Sequence, residues 1–292
     1  MSNQKITPFL WFNDNAEEAV NFYTSVFDNS KIQSLNRMPD GKVMTAGFQL
    51  EGQDFAALNG GPMFTFNPAV SFFVICETAE EVDATWHKLT EGGQVMMPLD
   101  TYPWSGRYGW GQDRFGLSWQ VMLGKIADYG QKIVPCFMFA GEQLAQAEEA
   151  VNFYTALFNN SKIDSISRYM AEEPAPKDAV KYAQFRLNGQ THTIMGSAMP
   201  HAFAFNEAVS FVINCETQED VDYFWDNMTK DGGAESQCAW LKDKYGISWQ
   251  VVPPILMKLM SDPDRVKAQR VMQAMLQMKK IIIADLQKAY DG

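Results

Sequence analysis

The sequence is poor in histidine, cysteine and positive charge. Its 292 residues include three His and four Cys, and neither a CxxC nor an HxxxH pattern occurs, which argues against a zinc-built or disulfide-built scaffold. Lys and Arg number 24 against 35 Asp and Glu, giving a net charge of −11, so neither nucleic acid nor an anionic membrane surface is an expected partner. The scattered cysteines predict a reduced, cytoplasmic protein with buried thiols.

Long apolar runs are also missing. No run approaches the roughly 18 residues that cross a bilayer, and the polar start, 1–6, lacks the apolar core of a signal peptide. We therefore expect no membrane association. Hydrophobic residues nevertheless make up 46% of the chain, which is enough to build sizeable cores in the two domains that this length suggests.

The chain repeats itself. EEAVNFYTSVFDNSKI at 17–32 returns as EEAVNFYTALFNNSKI at 148–163, with thirteen of sixteen positions identical. FNPAVSFFVICET at 66–78 matches FNEAVSFVINCET at 205–217, and DRFGLSWQV at 113–121 matches DKYGISWQV at 243–251. A period this long indicates duplicated globular domains, not a solenoid. The predicted division is 1–127, 128–254 and a tail at 255–292.

Each repeat has an α+β pattern. In the first, a strand at 7–12 precedes a helix capped by Asn13 or Asp14, and a hairpin turns at Glu51-Gly52. A strand at 69–77, a helix opening at Thr78 and a last strand at 117–123 follow. Strand, helix and further strands therefore occur twice per repeat, which predicts four βαβββ modules. The tail is predicted to start a helix at 262–264, with one apolar stripe that docks on the body or on a partner subunit: Val271, Met275, Met278 and Ile282.

These motifs resemble the PhnB-like branch of the vicinal oxygen chelate superfamily. The residues that carry the resemblance are PFLWF…AEEAVNFYTSVF, the D-x-x-G-x-S-W-Q-V motif of both repeats, and the tail segment AQRVMQAMLQMKKI. The superfamily includes glyoxalases, bleomycin-resistance proteins and extradiol dioxygenases, and this branch often carries a demethylubiquinone methyltransferase label. The resemblance implies two glyoxalase/dihydroxybiphenyl dioxygenase-like domains, formed by the four modules and paired as an internal pseudo-dimer. A homodimer is left open.

The resemblance also points to the positions where metal-dependent relatives hold a divalent ion with His and Glu. The first strands offer Thr7, Pro8 and Pro135. Ser71 and Ser210 stand where a His is common, and Gln120 and Gln250 where a Glu is common. Neutral oxygens alone would not compensate a divalent charge, so no metal and no other cofactor is expected. A weakly held divalent ion stays open.

Aromatic residues are the other candidates for ligand binding. The candidates that lie near the motifs are Trp11, Trp104, Trp110 and Trp240. They could line an aromatic pocket for a planar ligand, or they could simply pack in the core. The segment 101–112, rich in Gly and aromatics, predicts a mobile loop over a cleft. Arg107 or Arg114 could meet an anion there, although a solvated position is the simpler interpretation for both. Trp119 and Trp249 are expected in the core.

Few residues offer acid–base or nucleophilic chemistry. His192 in the second repeat is a candidate general base or lone ligand, although a loop position for it and for His201 is the simpler interpretation. His87 is expected to be solvated. Cys76 and Cys215 lack a basic neighbour in sequence and are predicted to be buried thiols. No GxGxxG, P-loop or GxSxG motif occurs, so binding of S-adenosylmethionine in the usual methyltransferase manner is not expected.

Three functions remain open on the sequence. The favoured one is a small-molecule-binding protein without the His/Glu metal set. The second is an enzyme of the superfamily: a lyase, isomerase, dioxygenase or transferase. The third is an interaction scaffold that uses the tail. If only one cleft is used, the first is expected, because the segment 101–112 is present there and shortened in the second repeat.

Overall fold

The computed structural model describes residues 4–292, so residues 1–3 of the predicted polar start lie outside the described part. Two compact units are present. The larger contains Leu10–Ala208, and the smaller contains Val209–Gly292 together with the chain up to Phe9. These units do not follow the two repeats, and the boundaries at 127/128 and 254/255 stay predictions.

The element order follows the predicted modules. The first module contains β1 (Ile6–Phe12), α1 (Ala16–Val26), β2 (Lys31–Arg37), β3 (Val43–Leu50) and β4 (Gln53–Asn59). The second contains β5 (Val70–Cys76), α2 (Ala79–Thr90), β6 (Gln94–Tyr102), β7 (Ser105–Gln112) and β8 (Ser118–Leu123), followed by the short α3 (Ile126–Tyr129).

The second repeat has the same order. The third module contains β9 (Ile133–Ala140), a 3-10 turn (Gly141–Gln146), α4 (Ala147–Leu157), β10 (Lys162–Arg168), β11 (Val180–Leu187) and β12 (Gln190–Ser197). The fourth contains β13 (Val209–Asn214), α5 (Gln218–Met228), β14 (Ala234–Glu235), β15 (Trp240–Lys242) and β16 (Ser248–Val252). The prediction of four strand–helix–three-strand modules in an α+β fold is confirmed.

One sheet of the larger unit joins the two repeats. Its strand order is β10-β11-β12-β9-β5-β8-β7-β6. At its centre β5 is antiparallel to β9, and β5 and β9 are each parallel to the last strand of their own module. All seven residues of β5 are buried, as expected for a central strand covered on both faces. This sheet therefore combines the second module of repeat one with the first module of repeat two.

The remaining strands form simpler ladders. In the larger unit, β2, β3 and β4 pair antiparallel in sequence order, and β3 turns into β4 at Glu51-Gly52 with positive φ at both residues. In the smaller unit, β13 is parallel to β16, while β14, β15 and β16 pair antiparallel.

Helix capping matches the sequence at one helix and differs at another. Thr78 caps α2 as predicted, because its hydroxyl accepts from the Glu81 N–H at 3.2 Å. The prediction that Asn13 or Asp14 caps α1 is wrong. The N-cap residue is Asn15, which makes no side-chain cap, and the Ala16 N–H instead donates to the amide oxygen of Asn59 at 2.9 Å. A side chain from β4 thus replaces a local cap.

The tail forms three helices: α6 (Pro254–Met260), α7 (Arg265–Leu276) and α8 (Ile283–Asp291). The helix start predicted at 262–264 is confirmed, and Asp264 is the N-cap of α7. The prediction of one helical stripe from Val271 to Ile282 is wrong, because the helix ends at Leu276. Met278 and Lys279 carbonyls accept from the Cys238 and Ala239 N–H groups at 2.8 and 2.9 Å. In a continued helix these two carbonyl groups would accept from N–H groups of the next turn, so their bonds to residues 238 and 239 replace helical hydrogen bonds. The tail packs within the smaller unit, on Ala239 and Val252 among others.

No helix among residues 4–292 is both long and apolar enough to span a membrane.

Candidate functional site

One face of the central sheet in the larger unit carries most of the candidate residues. Because side chains alternate along a strand, Ser71 and Phe73 of β5 project with Gln120 of β8 and Cys136 of β9. The buried apolar cluster on this face includes Phe73, Ile75, Tyr108, Trp110, Met122, Val134, Cys136 and Met138, with Tyr102, Tyr129, Tyr182, Met195 and Phe203 packed against it. We call this the glutamine face, after Gln120.

A chain of neutral hydrogen bonds runs through this apolar cluster. The Tyr108 hydroxyl donates to Oε1 of Gln120 at 2.6 Å, and Nε2 of Gln120 donates to Oγ of Ser71 at 2.8 Å. All three side chains are buried. Burial raises the pKa of Tyr108 well above its ordinary value, so the phenol stays protonated. Tyr108 and Ser71 together fix the orientation of the Gln120 amide.

Cys136 extends this polar group. It lies directly opposite Ser71 across the β5–β9 pair. Burial raises the pKa of the Cys136 thiol to about 11, against hydrogen bonds from Thr193, Ser71 and Gln120 that lower it. The group is therefore a neutral thiol at physiological pH, not a nucleophile or a metal-binding thiolate.

Cys76 and Cys215 are also buried, each with its pKa raised by burial to about 12, so the prediction of buried thiols is confirmed for both.

The prediction of a mobile loop at 101–112 is wrong, because this segment forms the β6–β7 hairpin. Trp110 is buried on β7, and its indole N–H donates to Oγ of Ser118 at 2.9 Å. A Cβ at Gly109 would lie 2.7 Å from the ring of Trp86 on α2, so this glycine allows close packing of the helix and does not indicate mobility. Trp104, at the hairpin turn, is 54% exposed.

The two arginines near the hairpin do not reach the glutamine face. Arg107 alternates with Tyr108 and forms an ion pair with Asp83 on α2. Arg114 pairs with Glu18 at 3.2 Å, and its guanidinium lies 4.5 Å from the ring centre of Phe22. Both guanidinium groups therefore pair with carboxylates on the helix side of the sheet. The structure gives no support to an anion contact at the glutamine face.

His192 also lies on the opposite face of the sheet. It alternates with Thr193 on β12, and its ring stacks between Phe137 and Phe185. Nδ1 donates to the Gln190 carbonyl at 3.0 Å, and burial lowers the pKa of His192 to about 4. The structure thus gives His192 a core position that does not suit a general base. His201 contacts Ser197 and stacks on Phe203, and His87 is exposed on α2.

Trp11 is separate from this group. Its indole N–H donates to the Gly61 carbonyl at 2.8 Å, and its ring packs edge-on against Phe64 at 5.1 Å. A Cβ at Gly60 would lie 2.2 Å from this ring. Trp11 therefore anchors the segment 60–64 within the larger unit.

The smaller unit contains the repeat-two equivalents of the Ser71, Trp110 and Gln120 group. Nε2 of Gln250 donates to Oγ of Ser210 at 3.0 Å, which repeats the Gln120–Ser71 bond. Trp240 pairs with Gln250 across β15 and β16 and packs edge-on against Phe9 at 5.7 Å. The structure thus brings Ser210, Trp240 and Gln250 together, as it does Ser71, Trp110 and Gln120 in the larger unit.

The D-x-x-G-x-S-W-Q motif also contains a structural residue that its recurrence alone did not reveal. Oδ2 of Asp113 accepts from the Tyr23 hydroxyl and the Trp119 indole, both at 2.8 Å, while Oδ1 accepts from the Phe115 and Leu117 N–H groups. Gly116 adopts φ +89° in this turn. Asp243 binds Trp249 in the same way at 2.7 Å. Both tryptophans are buried, as predicted.

The donor set does not fit a divalent ion of the glyoxalase kind. The glutamine face offers the hydroxyl of Ser71, the amide of Gln120 and the neutral thiol of Cys136, none of which supplies negative charge. Residues 4–292 contain no group of three or more His, Cys, Asp or Glu placed to hold a metal. We therefore assign no step of any reaction to a metal at this face.

Other residues of the glutamine face were not found from the sequence. Tyr108, Cys136, Tyr182 and Met195 lie there because strand alternation and the β5–β9 junction place them together, and no local motif marks them. A surface pocket of about 560 Å³ lies between the 3-10 turn and the segment 176–180. None of its lining residues is a predicted site residue.

Comparison with known proteins agrees with this architecture. Glyoxalase I from Zea mays is 11% identical, and the match covers 85% of this chain and 93% of that protein with a TM-score of 0.57. At this identity the likeness shows the fold alone. A search among curated proteins found no match.

Closer sequence relatives match about two-fifths of the chain. The PhnB protein from Bacillus cereus is 47% identical over 41% of this chain and 100% of that protein, with a TM-score of 0.41. A Staphylococcus aureus protein is 36% identical over 43% of this chain and 100% of its own, with a TM-score of 0.20. The family model for 3-demethylubiquinone-9 3-methyltransferase matches twice, at 4–122 and at 131–252. With both repeats matched, the chain belongs to this family as a tandem duplication.

Proposed function

We propose that this protein binds a small, neutral, mainly apolar molecule through hydrogen bonds from the Ser–Gln groups of its sheets, without a metal ion. The observation that carries the proposal is the Tyr108–Gln120–Ser71 chain within the apolar cluster of the glutamine face. Such a face, mostly aromatic and aliphatic with a few fixed polar groups, has the composition of small-molecule sites in proteins.

The polar groups of this face favour an uncharged ligand. Tyr108 and Cys136 stay protonated because burial raises the pKa of each, and Ser71 and Gln120 carry no charge. A charged ligand placed here would lose its hydration without gaining a counter-ion, which is costly. A neutral carbonyl, amide or hydroxyl would exchange hydrogen bonds with Gln120 and Tyr108 instead.

Aromatic side chains define the side from which such a ligand would approach. Trp104 stacks on Tyr102 with ring centres 5.1 Å apart, and both rings pack edge-on against Tyr108 at 5.5 and 5.4 Å. Because Trp104 is largely exposed, a planar ligand can take its place against Tyr102 and Tyr108 at little cost in buried area. This arrangement favours a flat, aromatic molecule.

A panel of small aromatic compounds tests the proposal. Neutral phenol, acetophenone and benzamide are expected to raise the melting temperature in the presence of EDTA, whereas benzoate and benzylamine are not. Gln120→Leu, similar in size, and Trp104→Ala should each reduce the shift, and Gln120→Leu combined with Gln250→Leu should abolish it. Gln33→Leu, at an exposed position of β2, is the control. Stabilisation by the charged compounds alone, or only after a divalent ion is added, would contradict the proposal.

A further inference from the structure

The two repeats differ at one buried hydroxyl. Ser118 and Ser248 occupy the same place in the D-x-x-G-x-S-W-Q motif, two residues before Gln120 and Gln250. Oγ of Ser118 accepts from the Trp110 indole at 2.9 Å. Ser248 is 1% exposed, and its Oγ has no hydrogen-bond partner among residues 4–292. An unpaired buried hydroxyl is uncommon in a folded protein because it costs free energy.

The difference comes from the strand that precedes the motif. Trp240 is the repeat-two equivalent of Trp110, since both pair directly with the motif glutamine. Trp110 donates to its serine, whereas the Trp240 ring packs against Phe9. Ser248 therefore lacks the indole donor that Ser118 has.

The glutamine of repeat two also lacks its tyrosine. Cys238 stands where repeat one has Tyr108, two residues before the tryptophan, and its backbone is held by the tail through the Met278 carbonyl. Gln250 uses Nε2 for Ser210, but among residues 4–292 no tyrosine hydroxyl donates to its Oε1 as Tyr108 donates to Gln120. Repeat one thus satisfies its own polar groups, and repeat two leaves a donor and an acceptor side by side.

We infer that Ser248 and Gln250 form a binding subsite in the smaller unit for one neutral group that both donates and accepts hydrogen bonds, such as a primary amide or hydroxyl, on a planar molecule that contacts Trp240. The inference rests on the proposed function and assigns its ligand chemistry. The ligand donates to Oε1 of Gln250 and accepts from the Ser248 hydroxyl. Lys242 lies opposite Ser248 in the β15–β16 pair, which favours the accepting end of the ligand near Ser248.

Benzamide and acetophenone are suitable probes, because they share a shape and a carbonyl but only benzamide donates. The indole N–H signals of the eight tryptophans can be followed by NMR in the full-length protein and assigned by single Trp→Phe variants. Benzamide is expected to shift the Trp240 signal. Acetophenone should bind roughly 3- to 10-fold more weakly, because it leaves Gln250 unpaired.

Variants separate the possible outcomes. Ser248→Ala and Gln250→Leu should each weaken the Trp240 response to benzamide about 3- to 10-fold. Ser118→Ala is the matched control and should leave that response unchanged. Melting curves show whether each variant is folded, and Gln250→Met provides a second variant if Gln250→Leu fails to fold.

Two results would overturn the inference. A Trp240 response that is the same in Ser248→Ala as in the unmodified protein would show that the hydroxyl takes no part. Shifts confined to Trp104 and Trp110 would leave the proposed function intact but place binding in the larger unit. If no neutral probe shifts any indole signal, the proposed function itself fails.

Discussion

The hydroxyl of Tyr108 donates a 2.6 Å hydrogen bond to the amide oxygen of Gln120. The two residues come from neighbouring strands, β7 and β8, and both are buried. This contact fixes which end of the Gln120 amide faces Ser71, and it completes a polar group at the centre of the sheet whose members are all uncharged. We expect the stability of the glutamine face, and the ligand binding proposed for it, to depend on this contact.

Removing this hydroxyl should destabilise the protein. Tyr108→Phe leaves the buried Oε1 of Gln120 without its donor, which is expected to lower the free energy of unfolding by about 1–3 kcal/mol. Urea denaturation followed by circular dichroism measures the change. Tyr223→Phe, at an exposed position of α5, should have almost no effect. Equal stability of the two variants would show that the Tyr108 bond is not important for folding.

Asp113 should be necessary for the stability of the larger unit. Its carboxylate accepts from Tyr23, Trp119 and two backbone N–H groups, so Asp113→Asn replaces one acceptor by an amide that faces other donors. We expect a loss of about 2 kcal/mol or more, since hydrogen bonds to charged groups are the stronger kind. Asp28→Asn, at an exposed position, is the control for charge. Thermal unfolding that is unchanged in Asp113→Asn would contradict this role.

His192 should make the protein less stable in acid. The pKa of His192 is lowered by burial from 6.5 to about 4, so between these values the unfolded chain binds a proton that the folded chain does not. Stability from this residue is therefore complete above pH 6.5 and is lost as the pH falls towards 4, by about 3 kcal/mol in total.

A substitution found in the other repeat tests this pH dependence. Phe55 is the repeat-one equivalent of His192, since each pairs with a phenylalanine across its hairpin, Phe48 or Phe185. His192→Phe should remove the loss of stability between pH 6.5 and 4, whereas His87→Gln on the surface of α2 should keep it. Parallel curves for His192→Phe and the unmodified protein would show that His192 does not titrate as described.

Restoring the residues common in metal-dependent relatives should create a metal site. The side chains of Ser71 and Gln120 already touch, so Ser71→His with Gln120→Glu places an imidazole and a carboxylate together. This double variant should be less stable alone, because the carboxylate is buried, and should gain melting temperature with Zn²⁺ or Ni²⁺ and lose it again in EDTA. The unmodified protein should show no such gain. Near-stoichiometric metal retained by the unmodified protein through dialysis would contradict the account.

The sequence predicts the fold well because the duplicated motifs lie on the elements that build it. The strand at β5, the Thr78 cap and the turn at Glu51-Gly52 follow from local rules of alternation, capping and positive φ. Sequence reasoning failed where a distant contact decides the local structure. The side chain of Asn59 on β4 caps α1. The ring of Trp86 leaves no room for a Cβ at Gly109, so this glycine belongs to a packed hairpin although the composition suggests a loop. Residues 238 and 239 bond to the backbone of the tail and interrupt its helix.

The candidate site could be predicted only in part. Ser71 with Gln120, and Ser210 with Gln250, were identified from the motif and do meet. Tyr108 and Cys136 join them through strand pairing across the repeats, which no local pattern reveals. His192 fits neither of its two interpretations, a general base or a loop residue, because it is buried on β12 at the position that Phe55 occupies in repeat one.

The most direct test of metal-independent binding is a calorimetric titration of the EDTA-dialysed protein with benzamide. We predict saturable binding with the same Kd in the presence and absence of EDTA, and its loss when Gln120→Leu and Gln250→Leu are combined. Binding that requires an added divalent ion, or that survives the double substitution unchanged, would contradict the account.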